Sequence, residues 1–165
     1  MAIFKIKVND YPTLWDITNV IGYITRTSAT IPELIETHGI YFSSPESMAK
    51  QMISTKVICG QTTGRQLYHI ILSFKSGEVY DCNHILNILQ FLMTSPYLCG
   101  NQSIAAVHTD KSTPDAHILF NSVNSFTGKK IDMNSNGFWY RQLALLSEYM
   151  TSQYGYSVFY KFCYE

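Results

Sequence analysis

The sequence predicts an α+β domain with a central, mainly antiparallel sheet of about five strands flanked by helices. Three observations carry that class. Period-two segments are interspersed with segments whose apolar residues recur every three or four positions. Several neighbouring strands are joined by short turns, which favours antiparallel pairing. Residues 66–74 are largely apolar on both faces, the pattern of a central strand covered on both sides. With 165 residues and no internal repeat, low-complexity tract or linker, the chain 1–165 reads as a single domain.

The elements follow in order. Phe4, Ile6 and Val8 alternate with Lys5, Lys7 and Asn9, which predicts a half-buried strand. Pro12 and Thr13 open a helix whose apolar stripe is Leu14, Ile17, Ile21 and Ile24, running to about Tyr23. The polar stretch Thr25 to Thr30 lacks periodicity and reads as a mobile loop. Gly39 to Phe42 reads as a short strand. Ser44, Pro45 and Glu46 give an N-cap followed by proline at the first helical position, so a helix runs into the 50s. The turn-rich CGQTTGR (59–65) leads into the strand Gln66 to Phe74. Its residues Leu67, His69, Ile71 and Ser73 face one way, and Tyr68, Ile70, Leu72 and Phe74 the other. Asp81 to Met93 reads as an amphipathic helix. Ile104 to Thr109 and Ala116 to Val123 read as strands separated by DKSTPD. Phe126 to Lys129 is a turn, Phe138 to Gln153 the last helix and Tyr156 to Phe162 the last strand.

Composition excludes several classes. Hydrophobic residues at 46% and aromatics at 14% rule out a disordered or fibrous chain. Twelve Lys and Arg against twelve Asp and Glu give zero net charge, so nucleic-acid binding must come from local patches. Charged residues are only 15%, against about 25% in an average domain, so part of a larger protein or a partner surface is expected to be missing. Cys59, Cys82, Cys99 and Cys163 form no CxxC pair, which argues against a zinc ribbon or redox motif and for reduced, intracellular thiols. No apolar run approaches the roughly 18 residues of a membrane span, and MAIFKIKVND has no long apolar core of a signal peptide. A cytoplasmic protein without membrane insertion is expected.

The chemistry concentrates in AVHTDKSTPDAHILFNSVN, residues 106–124. His108 ends one predicted strand, and Asp115 and His117 begin the next. Alternation puts Asp115 and His117 on one face, and a tight connection brings His108 to the same side. Two imidazoles and a carboxylate then make a three-donor cluster with open positions, as a catalytic divalent ion requires. Asp110 is placed to orient the His108 ring or to act as a base. The plainer alternative is a polar hairpin. His69, alone on an apolar strand, reads as a satisfied core histidine; His38 and His84 offer nothing specific. Composition does not single out Tyr23 among twelve tyrosines.

Several segments, in order, resemble the nuclease domain of conjugative relaxases of the MobP (VirD2-like) type in the HUH endonuclease superfamily. VIGYIT (20–25) resembles the family's tyrosine-bearing "YITN" segment. GRQLYHIILSFKSGE (64–78) is similar to its "GR-x-x-YH-x-x-SF-x-PGE" strand. HTDKSTPDAHILFNSVNSFTGKK (108–130) resembles its His-x-Asp…His-x-His segment, and FWYRQLALLSEYMTSQYGYSV its closing helix and strand. The chain departs from the family at Asp115, where the first of the paired histidines is expected, and at Thr113, another position often histidine.

The resemblance implies an HUH relaxase-like fold and a mechanism. Tyr23 is the implied nucleophile, forming a 5′-phosphotyrosyl link that a later 3′-hydroxyl reverses, so that one strand is nicked and rejoined at a transfer origin. His108, Asp115 and His117 are the implied metal ligands, and aspartate in place of histidine shifts the preference toward Mg²⁺ or Mn²⁺. The implied partner is single-stranded or locally melted origin-of-transfer DNA, together with accessory relaxosome proteins. Arg26, Arg65, Lys111, Lys129, Lys130 and Arg141 are candidates for phosphate contact, with Lys50, Lys56 and Lys75 in the same basic stretch as Arg65. Trp139 and its neighbours Phe138 and Tyr140 are candidates for base stacking, and the 25–30 loop is expected to order on DNA. A relaxase-like DNA-binding module with attenuated or lost nicking is the alternative that Asp115 raises. The ending at Glu165 directly after a strand predicts the N-terminal part of a longer protein.

Overall fold

The computed structural model describes residues 2–7, 11–76, 81–132 and 137–163, with the backbone alone for 139 and 160–163. Its strands are β1 (Ala2–Lys7), β2 (Ile35–His38), β3 (Leu67–Phe74), β4 (Asn101–His108), β5 (Asp115–Asn124) and β6 (Val158–Cys163). Its helices are α1 (Leu14–Ile24), α2 (Pro45–Ile58), α3 (Cys82–Met93) and α4 (Phe138–Tyr154). The strands form one six-stranded sheet in the order β2-β4-β5-β3-β1-β6, slightly larger than the sequence suggests. Every named ladder is antiparallel except β1 with β6, which is parallel.

Strand alternation divides the core into two layers. Leu67, Ile104, Ala106 and Leu119 point toward α1 and α2, meeting Ile17, Ile21, Ile24, Met48, Ala49 and Met52. Tyr68, Ile70, Leu72, Ile118 and Phe120 point the other way, against α3 and α4 through Ile85, Leu89, Leu92, Leu146 and Met150. β3 lies between β1 and β5 and supplies both layers, which explains its two-sided apolar pattern.

The helix starts match the sequence signals. Thr13 caps α1 in a reciprocal capping box: its hydroxyl accepts from the Asp16 N–H (3.2 Å), and its own N–H donates to the Asp16 carboxylate (2.8 Å). Ser44 caps α2 ahead of Pro45, and Asp81 caps α3. Two local expectations change. The short strand is Ile35–His38, paired with Ser103 to Ala106, rather than Gly39 to Phe42. Gly39, at φ 69°, turns the chain out of the ladder where the strand was expected to begin. The 25–30 segment is tied into the fold: Ala29 and Thr30 are buried, and the Ala29 carbonyl accepts from the Thr109 N–H (2.8 Å). The predicted strand residues Val8 and Asn9 lie outside the described residues.

Lys56, expected in a basic patch, is instead fully buried on α2. Its ammonium donates to the Gln66 carbonyl (2.8 Å) and the Ser122 hydroxyl (2.9 Å). Burial lowers its pKa to about 7, with Lys130 adding to the effect. The unfolded chain therefore binds more protons than the folded one between about pH 7 and the ordinary lysine value. Stability contributed at this site rises as pH rises through that window. Between pH 6 and 9 we expect roughly 2–3 kcal/mol of added stability from this residue. Chemical denaturation of Lys56→Met across that range should show lower absolute stability but a correspondingly flatter pH dependence.

Candidate active site

The site is laid out by the register of three adjacent strands. His108 lies directly opposite Asp115, and Ala106 opposite His117, in the β4–β5 ladder. In the β3–β5 ladder His117 faces Ile71, and His69 faces Leu119. Cross-strand partners share a face, so His69, His108, Asp115 and His117 all project to the α1 side. The His108 and His117 rings are 4.3 Å apart, and those of His69 and His117 5.3 Å. All three histidines are buried.

Tyr23 sits in the last turn of α1, anchored by the wholly buried Ile17, Ile21 and Ile24. Its ring meets both sheet histidines edge-on, 5.9 Å from His108 and 5.7 Å from His117, yet remains 49% exposed. A partly open phenol beside two buried imidazoles leaves room for an incoming group. His108 also fastens the helix: its Nε2–H donates to the Ile24 carbonyl (2.8 Å), one of the orphan acceptors at the helix end. A carbonyl only accepts, so the His108 lone pair is on Nδ1.

Arg26 clamps the same corner. Its guanidinium lies 4.5 Å from the Tyr23 ring centroid, donates to the Tyr23 carbonyl (2.8 Å) and pairs with Asp110 (3.1 Å). Asp110 thus engages Arg26, a partner other than the His108 ring for which the sequence nominated it. Asp115 pairs with Lys111 (3.1 Å). Among the described residues, no three His, Cys, Asp or Glu donors converge as a ready metal cage. Two of the three predicted ligands, His108 and His117, do come together, and Asp115 shares the His108 rung of the ladder but is engaged with Lys111.

Electrostatics keep the imidazoles neutral. Burial lowers the pKa of His117 to about 2, aided by His69 and His108. Burial also lowers His69 to about 4, with Lys7 and His108 adding repulsion, and it lowers His108. Neutral rings with free lone pairs are the form in which histidine binds a cation, so the donor chemistry fits a divalent ion.

His69 and Tyr11 are the residues that sequence reasoning missed here. His69 Nε2 lies 3.0 Å from His117 Nδ1, and His69 Nδ1 lies 3.1 Å from the Tyr11 hydroxyl. Lys7, Tyr11, Asn19, Val20, Tyr23, His69, Ile71 and His117 line a cavity of about 290 Å³ beside the nucleophile candidate. The signal available was the shared parity of His69 with the inner face of β3; the pairing of β3 with β5 was not legible.

Comparison with known proteins places the chain in a family. The family model for relaxases, described as MobA/VirD2-like, nuclease domain, matches residues 23–156. The chain belongs to the MobA/VirD2-like relaxase family. Two curated relatives, each named protein rlx and from Staphylococcus aureus, are 38% identical over 82 residues and 36% identical over 83. Each match covers 48% of this chain, and the chain spans about a quarter of each relative's length (24% and 25%).

On this relaxase domain the basic candidates divide by position. Arg26 and Lys111 stand at the Tyr23 end of the sheet. Arg65, Lys129 and Lys130 lie toward the other end of strand β5, beside Ser122 and Val123 and roughly 17–20 Å along the strand from His117. The Lys130 ammonium donates to the Thr63 and Arg65 carbonyls, so it braces a turn. Arg141 lies on α4, the helix packed on the opposite sheet face, with its guanidinium 5.9 Å from the Tyr97 ring centroid. Tyr140 is 58% exposed on the same helix, and the Trp139 side chain lies outside the described part of the structure. Among the described residues, no helix is long and apolar enough to cross a membrane.

Proposed function

We propose that this domain nicks and rejoins single-stranded DNA at a transfer origin, with Tyr23 as the nucleophile. The observation that carries the reading is the half-exposed Tyr23 ring set edge-on against both His108 and His117. The Tyr23 oxygen attacks the scissile phosphorus. A phosphotyrosyl O–P bond forms as the P–O3′ bond breaks, and the proton leaving the phenol balances the one gained by the 3′ oxygen. The link conserves the phosphodiester, so a 3′-hydroxyl reverses the step.

His108 and His117 would hold a divalent cation through neutral ring nitrogens, with Asp115 as the carboxylate donor once it leaves Lys111. A divalent cation of the kind this family generally uses, Mg²⁺ or Mn²⁺ in our reading, supplies positive charge to the phosphate when bound. Arg26 holds the end of α1 and places a fixed cation beside the phenol ring, while Asp110 holds Arg26. Lys111, paired with Asp115, is a further cation at this corner for a DNA phosphate. Arg65, Lys129, Lys130, Trp139 and Arg141 serve a more distant part of the strand in this reading, and accessory relaxosome proteins and a cytoplasmic setting complete it.

The test is incubation with single-stranded DNA carrying the element's own origin, with Mn²⁺ or Mg²⁺. A denaturant-resistant protein–DNA adduct at the 5′ end of the cut supports the reading; its absence on every origin strand offered overturns it. The Asp115–Lys111 ion pair favours one other reading, a relaxase-like module that binds the origin without cutting. Asp115→His separates the two. If the wild type nicks, the substitution is expected to alter the Mn²⁺ dependence of a pre-existing activity. An inert wild type that gains nicking in Asp115→His establishes the binding module.

A further inference from the structure

Beside the nucleophile, three side chains form an unbranched hydrogen-bond chain: Tyr11 Oη to His69 Nδ1 at 3.1 Å, and His69 Nε2 to His117 Nδ1 at 3.0 Å. Two features mark it as built. His69 and His117 are each only 4% exposed, so neither ring exchanges partners freely with water. Tyr11 has φ 40°, and among the described residues it is the one non-glycine in the left-handed region; its carbonyl is pinned by the Gln66 N–H at 2.9 Å. A strained backbone thus presents this hydroxyl to His69.

We infer that Tyr11 and His69 are positioning residues that fix the tautomer of His117, so that its Nε2 lone pair faces the cleft beside Tyr23. A neutral imidazole has one donor and one acceptor nitrogen, so the bonds in the chain must all run the same way. In one direction His117 Nδ1–H donates to His69 Nε2, and His69 Nδ1–H donates to the Tyr11 oxygen. His117 Nε2 is then bare. In the other direction Tyr11 donates, both rings reverse, and His117 carries a proton on Nε2.

The surroundings favour the first direction. His117 Nε2 has no hydrogen-bond acceptor among the described residues, so a proton there would have no protein partner, whereas a bare lone pair leaves no donor unsatisfied. Tyr11 lines the 290 Å³ cavity and is not fully buried, so its hydroxyl proton need not be spent on His69. His108 already shows the matching arrangement, with Nε2–H locked on the Ile24 carbonyl and Nδ1 bare. Both imidazoles then enter the cleft as lone-pair donors before any ion arrives. This inference rests on the metal-holding role given to His117 above, but its test does not depend on DNA cleavage.

The experiment is long-range ¹H–¹⁵N spectroscopy of ¹⁵N-histidine-labelled, metal-free protein near neutral pH, combined with Mn²⁺ titration followed by electron paramagnetic resonance. In the wild type, His117 and His69 are expected to be protonated on Nδ1. Tyr11→Phe keeps the ring and removes the acceptor, so both rings should convert to the Nε2–H form and Mn²⁺ affinity should fall about tenfold. The His108 signals, set independently by Ile24, should stay where they are and report that the fold is intact. His69→Gln, whose amide oxygen accepts from His117 Nδ1–H, should retain the His117 tautomer and most of the affinity; His69→Leu should lose both.

A wild-type His117 protonated on Nε2, or tautomers and Mn²⁺ affinity unchanged in Tyr11→Phe, would overturn the inference. If Tyr11→Phe fails to fold, the His69→Gln and His69→Leu pair decides it by the same readouts. The expected tautomers without any DNA adduct would leave the relay standing and remove the nicking reading alone.

Discussion

Tyr23→Phe is expected to bind origin DNA as the wild type does and to form no covalent adduct, a loss of at least three orders of magnitude in nicking. The substitution deletes one oxygen from a half-exposed side chain whose ring packs against His108, His117 and Arg26. The ring contacts survive, so stability should change by less than about 0.5 kcal/mol, as for other surface replacements. The other tyrosine lining the cavity among the described residues, Tyr11, has its hydroxyl engaged with His69. Electrophoresis of the reaction under denaturing conditions, alongside an equilibrium binding measurement, separates the two effects. An adduct that persists unchanged in Tyr23→Phe would remove this residue from the role of nucleophile.

The largest expected loss of stability near the site comes from Ile21→Ala. Ile21 is wholly buried between α2 and the sheet, in the layer formed by Ile17, Ile24, Met48, Met52 and Leu119. Removing three carbons from such a position costs about 2–5 kcal/mol, through lost transfer energy and the cavity left behind. Trp15→Ala on the same helix, at a residue 69% exposed, should cost far less. Ile21 also precedes Tyr23 by two residues. A helix end that settles into the cavity carries the phenol with it, and a shift of about 1 Å can lower a rate roughly a hundredfold. Nicking by folded Ile21→Ala protein should therefore fall by more than its unfolded fraction explains, as measured by denaturation midpoints and single-turnover assays on the same samples.

The parts of this structure legible in the sequence are those set by local rules. The Ser44–Pro45 start of α2, the two-sided apolar run of β3 and the amphipathic stripe of α1 each follow from period or capping chemistry acting over a few residues. The shared face of Asp115 and His117 follows from strand alternation alone, and a tight connection between β4 and β5 was enough to bring His108 to it. What escaped depends on pairing between distant segments. His69 on β3 reaches His117 only because β3 lies against β5, and Tyr11 reaches His69 from a turn preceding α1. Single polar residues on apolar strands have no local mark that separates a buried filler from a partner of the site. The same limit applies to charge. Lys56 and Lys130 look like surface cations in the sequence, yet one is buried under Gln66 and the other holds loop carbonyls.

His108 and His117 ride on neighbouring strands whose hydrogen-bonded rungs also carry Ala105, Ala106, Ile118 and Leu119 through the centre of the molecule. Amide protons along these rungs should accordingly exchange with solvent only in the slowest class, near the rate set by global unfolding. Agents that strip the cleft of order would have to unzip the middle of the sheet to do so. The imidazole platform is therefore as durable as the fold itself, and natural variation in turnover among close homologues would be sought at the helix end that carries the phenol.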